Sequence, residues 1–393
     1  MVRRLAMIEA DSARGVEFMG FNYDTAATIF NRYDSRDPND PFGLIAYVEG
    51  HINQLNVEVN YQSMMETLTP AQAMTRLGIR QDVQDAILDP QFDVLFKTES
   101  LHYWLMDTLK NNYWTLQQLL ENATVDGAST KLNADYYGKT SDARLPDHTV
   151  LYRGQSAADL IQRRFVQQDG SFDLDRIWTS SGDFNIRCAA TYFTPQHETA
   201  ELWRAYTARR CKYTETWLIM IQVPNAFLTP LRQMELWYSP KWLEYVWHSR
   251  TGARPAQLDK WFGRLGDSVD LVKGHVCSSL ERIFSLEKAD IPQKIEESDV
   301  MRLPSGRWAE QWAFSDDLDL IKRMSDIVRG KVHIRVHGSW QQENKEREEK
   351  EAREAEEAAQ RAQEAAETGE VERWPSEAAE TGKVERWPSF YCP

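Results

Sequence analysis

The chain has 393 residues, with 46 basic and 60 acidic side chains for a formal charge of −14, and it is 42% apolar and 11% aromatic. Its 14 Trp, 15 Tyr and 15 Phe exclude a wholly disordered protein, because disordered chains are poor in these residues. No run of about 18 apolar residues occurs, which excludes a membrane-spanning helix, and the acidic balance argues against nucleic acid as a partner.

The first residues, Met1-Val2-Arg3-Arg4, are basic, but Glu9 and Asp11 interrupt before an apolar segment can form, so no secretory signal is expected. Cys188, Cys211, Cys277 and Cys392 lie far apart, with no zinc-ligand or redox spacing. The expectation is reduced, mostly buried thiols in a cytoplasmic or nuclear protein.

Residues 1–147 read mainly as helix. Thr69-Pro70 places an N-cap before a proline at the first helical position. Leu101, Trp104, Leu105, Leu109, Tyr113, Leu116 and Leu120 recur every three or four residues, which predicts a helix over 98–122 with that stripe in the core. From 124 to 146 the chain turns polar, with Gly127, Gly138 and Pro146, and reads as a linker.

Residues 148–337 read as an α+β domain with a mostly antiparallel sheet. His148–Arg153, Thr191–Thr194, Trp217–Val223, Leu243–His248 and Lys331–His337 are the expected strands, the third buried on both faces. A helix is expected over 197–210, with Ala200, Trp203 and Tyr206 on its inner face.

Residues 338–393 form a tail. From 341 to 367 it is almost entirely Glu, Lys, Arg, Gln and Ala, with Glu343–Arg347, Glu346–Lys350 and Glu349–Arg353 at helical spacing, which suits a solvated single helix. The alanine seam at 352, 355, 359, 362 and 366 buries too little area to favour a coiled coil. A 13-residue segment, 364–376, then recurs at 377–389 with Lys383 replacing Glu370. Trp374-Pro375 and Trp387-Pro388 read either as linear motifs for a protein partner or as low-complexity duplication. Residues 341–393 carry 8 basic and 15 acidic side chains, so the tail holds half of the net charge.

Several chemical signatures fail. No G-x-G-x-x-G follows a strand, and Gly138-Lys139-Thr140 lacks the first glycine of a phosphate loop. No G-x-S-x-G elbow or H-E-x-x-H pair is present, and His333 and His337 are too widely spaced along a strand to share a metal.

What remains is a set of polar residues on the middle elements. Leu151-Tyr152-Arg153-Gly154 ends a strand with a guanidinium beside a glycine, a setting able to grip phosphate or ribose while the backbone stays approachable. Gly182-Asp183-Phe184, Ala190-Thr191-Tyr192-Phe193-Thr194 and Glu198-Thr199-Ala200-Glu201-Leu202-Trp203 follow in order, and Glu244 lies in an aromatic-rich segment further on.

This ordered set, spanning about 148–250, resembles the ADP-ribosyltransferase fold. Members of that family carry Arg or His on a first strand in an L-Y-[RH]-G setting. A second strand written D-F-G-x-G-F-Y-x-T follows, then a helix with an E-x-A-x-x-W pattern, then a later strand with a catalytic Glu. The resemblance implies that Arg153, Gly154, Tyr192 and Thr194 bind NAD as substrate and that Glu244 is the catalytic carboxylate, with Glu235 as the runner-up and Thr179-Ser180-Ser181 competing for the second-strand position. It further implies ADP-ribosyl transfer to a macromolecular acceptor, or NAD hydrolysis. A non-catalytic binding protein using its tail to recruit partners, and an α+β scaffold unrelated to NAD, stay open as alternatives.

Overall fold

The computed structural model describes residues 9–58, 68–124, 143–167, 169, 171–185, 189–252, 269–287, 289–291 and 293–368. It divides into two compact units, 1–341 and 342–393.

In the first unit the N-terminal helices are α1 (Ala13–Met19), α2 (Tyr23–Asp34), α3 (Leu44–Glu58), α4 (Pro70–Arg76), α5 (Gln81–Ile87), the single turn α6 (Asp93–Phe96) and α7 (Leu101–Thr124). Their starts follow capping chemistry. Ser12 and Asn22 accept hydrogen bonds from Gly15 N and Thr25 N, and Thr69 forms a reciprocal capping box with Gln72 ahead of Pro70. On α7 Leu101, Trp104, Leu105, Leu109, Tyr113 and Leu116 of the predicted stripe are buried, and its last member, Leu120, is half-buried.

The second half supplies β1 (His148–Ser156), α8 (Ala157–Gln162), β2 (Ala190–Phe193), α9 (His197–Arg210), β3 (Thr216–Pro224) and the short turn α10 (Asn225–Leu228). It continues with β4 (Gln233–Leu236), α11 (Pro240–Thr251), β5 (Leu271–His275), α12 (Leu280–Ser285), β6 (Glu310–Ser315), α13 (Leu318–Ile327) and β7 (Val332–His337). One sheet is antiparallel in the order β1-β3-β7, with β3 buried along nearly its whole length. The other runs β2-β6-β5-β4, antiparallel except for the parallel pair β4–β5. Tyr152 and Thr194 exchange backbone hydrogen bonds of 2.7 and 2.9 Å, which joins the end of β2 to β1 and links the sheets. The expected α+β class therefore holds, and the strands foreseen on β1, β2, β3 and β7 are present.

The segment 243–248 does not form the expected strand. It lies within α11, a helix, and not on a strand. Ser239 accepts a hydrogen bond from Trp242 N, and Pro240 occupies the first turn, the same start signal as Thr69-Pro70. Trp242 is fully buried and its indole N–H donates to His275 O at 3.0 Å, so the aromatic content reflects a buried helix face. The strands nearby are instead β4, β5 and β6, runs of four to six residues that the sequence patterning did not mark.

The division expected at residue 147 does not separate compact units, because α9 belongs to both halves. Tyr206 packs its ring 5.0 Å from Trp104 and 5.0 Å from Phe92, and its hydroxyl donates to Ile87 O at 2.7 Å. The opposite side of α9 lies on β1. A Cβ at Gly154 would sit 2.1 Å from Ala200 O and 2.7 Å from Arg204 N, so the glycine is dictated by helix-on-strand packing.

The second unit contains most of α14 (Trp340–Thr368), the foreseen charged helix. Lys345–Glu349, Arg347–Glu351 and Lys350–Glu354 approach at 3.6 to 3.9 Å, with the base first. The Trp-Pro repeats lie outside the described residues. Among those described, no helix is long and apolar enough to cross a membrane.

Gly154→Ala should destabilise the protein by about 2 kcal/mol or more, the cost of overpacking a rigid contact. Chemical denaturation checks this: a change under about 0.5 kcal/mol would mean that α9 is free to shift.

Candidate functional site

Two adjoining chambers, of about 180 and 620 Å3, lie where α7, β1, β2 and the segment 178–183 meet. Together they fall in the size range of small-molecule sites. Arg153, Gly154, Tyr192 and Thr194 all line the inner chamber, and Arg153 also faces the outer one.

Arg153 points from β1 toward the cleft. Its Nε donates to Gln155 Oε1 at 2.6 Å and its Nη1 to Tyr192 O at 3.0 Å. Burial pushes its pKa down to about 10, which leaves it charged at neutral pH. Tyr192 is fixed from its far end: its hydroxyl donates to Asn185 Oδ1 and accepts from Phe184 N at 2.9 Å, and burial drives its pKa well above the ordinary value. A Cβ at Gly182 would collide with that hydroxyl, so Gly182 makes room for Tyr192. Thr194 is buried and accepts from Gln196 N at 3.1 Å, turning the chain into α9. Gly154 borders the chamber, but its lack of a side chain is already accounted for by Ala200 and Arg204.

Neither expected glutamate lines the chambers. Glu244 sits on α11, where its carboxylate lies 3.8 Å from His248 Nε2. Glu235 is exposed on β4 and accepts from Trp237 Nε1 at 3.0 Å. The carboxylate at the inner chamber is Glu310, the first residue of β6. Its backbone N donates to Gln196 Oε1 at 2.9 Å, while Gln196 Nε2 reaches Glu310 Oε1 at 3.4 Å and Trp308 O at 3.0 Å. Burial raises the Glu310 pKa, and Arg307 offsets only part of that rise. The usable signal in the sequence was Glu310-Gln311 leading directly into the Trp312-Ala313-Phe314 run.

Charge pairing separates Arg153 and Glu310 from their neighbours. Arg250 binds Glu99 at 2.5 Å and Asp183 at 2.8 Å, with all three side chains nearly inaccessible. Asp107 pairs with Arg210 at 2.8 Å, Asp159 with Arg163 at 2.8 Å, and Glu49 with Lys110. Among the described lining residues, Arg153 is the cation with no carboxylate in ion-pair contact, and Glu310 is the carboxylate with no cation. The Tyr103 hydroxyl, also in both chambers, makes no hydrogen bond among the described residues, and burial raises its pKa. No metal-binding group of three or more His, Cys, Asp or Glu occurs among the described residues. Cys211 and Cys277 are buried thiols, pushed up to about 12 by burial, and take no part in such chemistry.

No protein-family model matches the chain, and no curated protein or solved structure is found to be similar to it.

Arg250→Met should cost about 3–5 kcal/mol, because Glu99 and Asp183 lose the cation that compensates their burial. Burial already raises the Glu99 pKa, and without Arg250 the folded state binds protons more readily than the unfolded one. Stability of the variant then falls as pH rises through the carboxyl range and recovers as pH drops from 7 toward 5. Urea titrations at the two pH values test it; a pH-independent deficit would count against buried charge as the cause.

Proposed function

We propose that the cleft binds NAD and that the protein cleaves its nicotinamide–ribose bond, passing ADP-ribose to an acceptor or to water. The observation that carries this reading is the pair of unmatched charges, Arg153 and Glu310, facing one chamber whose other lining charges are all paired. A charge drawn partly out of water without an ion-pair partner costs stability, and such residues concentrate where a ligand supplies the missing partner. The order of Arg153, Tyr192 and a later strand glutamate agrees with the resemblance to ADP-ribosyltransferases, with Glu310 taking the role first expected of Glu244.

In this mechanism Arg153 holds the pyrophosphate through charge-assisted hydrogen bonds, which a guanidinium fork suits. Tyr192, anchored by Asn185 and Phe184 N, offers a fixed ring face for nicotinamide. The C1′–N bond breaks with its electron pair leaving on neutral nicotinamide, and positive charge develops on the ribose. The Glu310 carboxylate stabilises that oxocarbenium-like state. Attack at C1′ by water or an acceptor group completes the transfer, with loss of the nucleophile's proton.

Glu310→Gln should lower consumption of labelled NAD at least 100-fold with the circular dichroism spectrum unchanged, while Glu244→Gln retains wild-type turnover. Equal loss in both, or no consumption by the wild type with any acceptor including water, overturns the catalytic reading. Because Glu310 must be ionised and its pKa is raised, activity should fall as pH drops through a midpoint above the usual carboxylate value of about 4.3. A pH–rate profile of kcat/KM locates that limb; one lying below pH 4 would exclude Glu310 as its origin.

A further inference from the structure

The outer chamber has features that the proposed chemistry at Glu310 does not use. Trp178 and Phe284 are each 43% exposed, a large apolar area to leave in water, and both line this chamber. Trp178 lies in the segment leading to Thr179, and Phe284 comes from α12, so two separate parts of the chain bring aromatic rings to one mouth. Trp114 on α7 adds a third ring to the wall. The acids around this chamber are all ion-paired with other cations, so Arg153 stands without an ion-pair partner where the two chambers join, beside the unbonded Tyr103 hydroxyl.

A guanidinium between two chambers, with aromatic residues and a carboxylate in the inner one and exposed aromatic rings in the outer one, matches a ligand with an anionic centre and a ring at each end. We propose that the outer chamber is a nucleobase subsite in which Trp178 and Phe284 pack against the adenine of the dinucleotide, with Arg153 and Tyr103 at its pyrophosphate. This rests on the dinucleotide reading above and extends it by assigning the direction of binding: nicotinamide inward to Tyr192 and Glu310, adenine outward. The subsite would favour a dinucleotide over nicotinamide mononucleotide, because every base offers a face for stacking and the mononucleotide has no second base.

Calorimetric titration of the full-length protein with ADP-ribose and with nicotinamide mononucleotide tests the assignment. Trp178→Ala and Phe284→Ala should each weaken ADP-ribose binding about 5- to 150-fold, the size of one lost base–aromatic stack. Mononucleotide binding should be unchanged in both variants, and Trp178→Phe should restore most of the ADP-ribose affinity. An unchanged ADP-ribose affinity in Trp178→Ala, or equal weakening of both ligands, overturns the subsite while NAD turnover by the wild type still supports the site at Glu310. If the wild type binds neither ligand, the subsite and the dinucleotide reading fall together.

Discussion

The cleft depends on one buried guanidinium. Arg250 reaches from α11 to Glu99, just ahead of α7, and to Asp183, in the turn before β2, so a single cation ties three segments far apart in the chain. Asp183 is held further by Cys277 N at 2.8 Å and Gln311 Nε2 at 2.6 Å, which adds β6 to the same knot. Removing such charges from water is costly, and the arrangement is tolerable because Arg250 compensates both carboxylates and Asp183 finds donors on both oxygens. The consequence for the site is direct: acids that could have neutralised Arg153 are already committed elsewhere.

Around that knot the fold brings its two sheets together at one backbone bridge. The hydrogen bonds between Tyr152 and Thr194 set the middle of β1 against the end of β2, and this is why Arg153 Nη1 can reach Tyr192 O. The α9 helix then lies on β1 at Gly154 and turns its other face to Trp104 and Phe92. The helical half and the sheet half are therefore two walls of one cavity. Rigid elements on each side suit a site that must hold a ligand without first ordering itself.

The unmatched pair also gives the proposed chemistry its economy. Arg153 is half-buried and satisfied on Nε and Nη1 by neutral acceptors, which orients the fork without cancelling its charge. Glu310 is held by Gln196, a neutral amide that fixes position and leaves the carboxylate's charge for the ligand. Neutral hydrogen-bond partners thus fix both side chains and leave their charges free for a ligand of the proposed kind.

Local chemistry made much of this readable in the sequence. The stripe on α7, the cap at Thr69-Pro70, the buried run of β3, the alternation of β7 and the charged helix of the tail each follow from periodicity or capping within one segment. Arg153 stood out locally, as a guanidinium beside Gly154 on a recognisable strand, whereas Tyr192 was marked only through the resemblance to ADP-ribosyltransferases. Which carboxylate faces the cleft was decided by tertiary structure alone. Glu244 sits amid aromatic residues that read as a strand but pack as the buried face of α11, whereas Glu310 opens a short strand whose neighbours, His275 and Gln196, are distant in sequence. Gly154 likewise looked like a place for ligand approach, and its neighbour proved to be the backbone of α9. A residue's partner across space leaves no trace in local spacing, and a site made of unpaired charges can be recognised only once every other charge has found its pair.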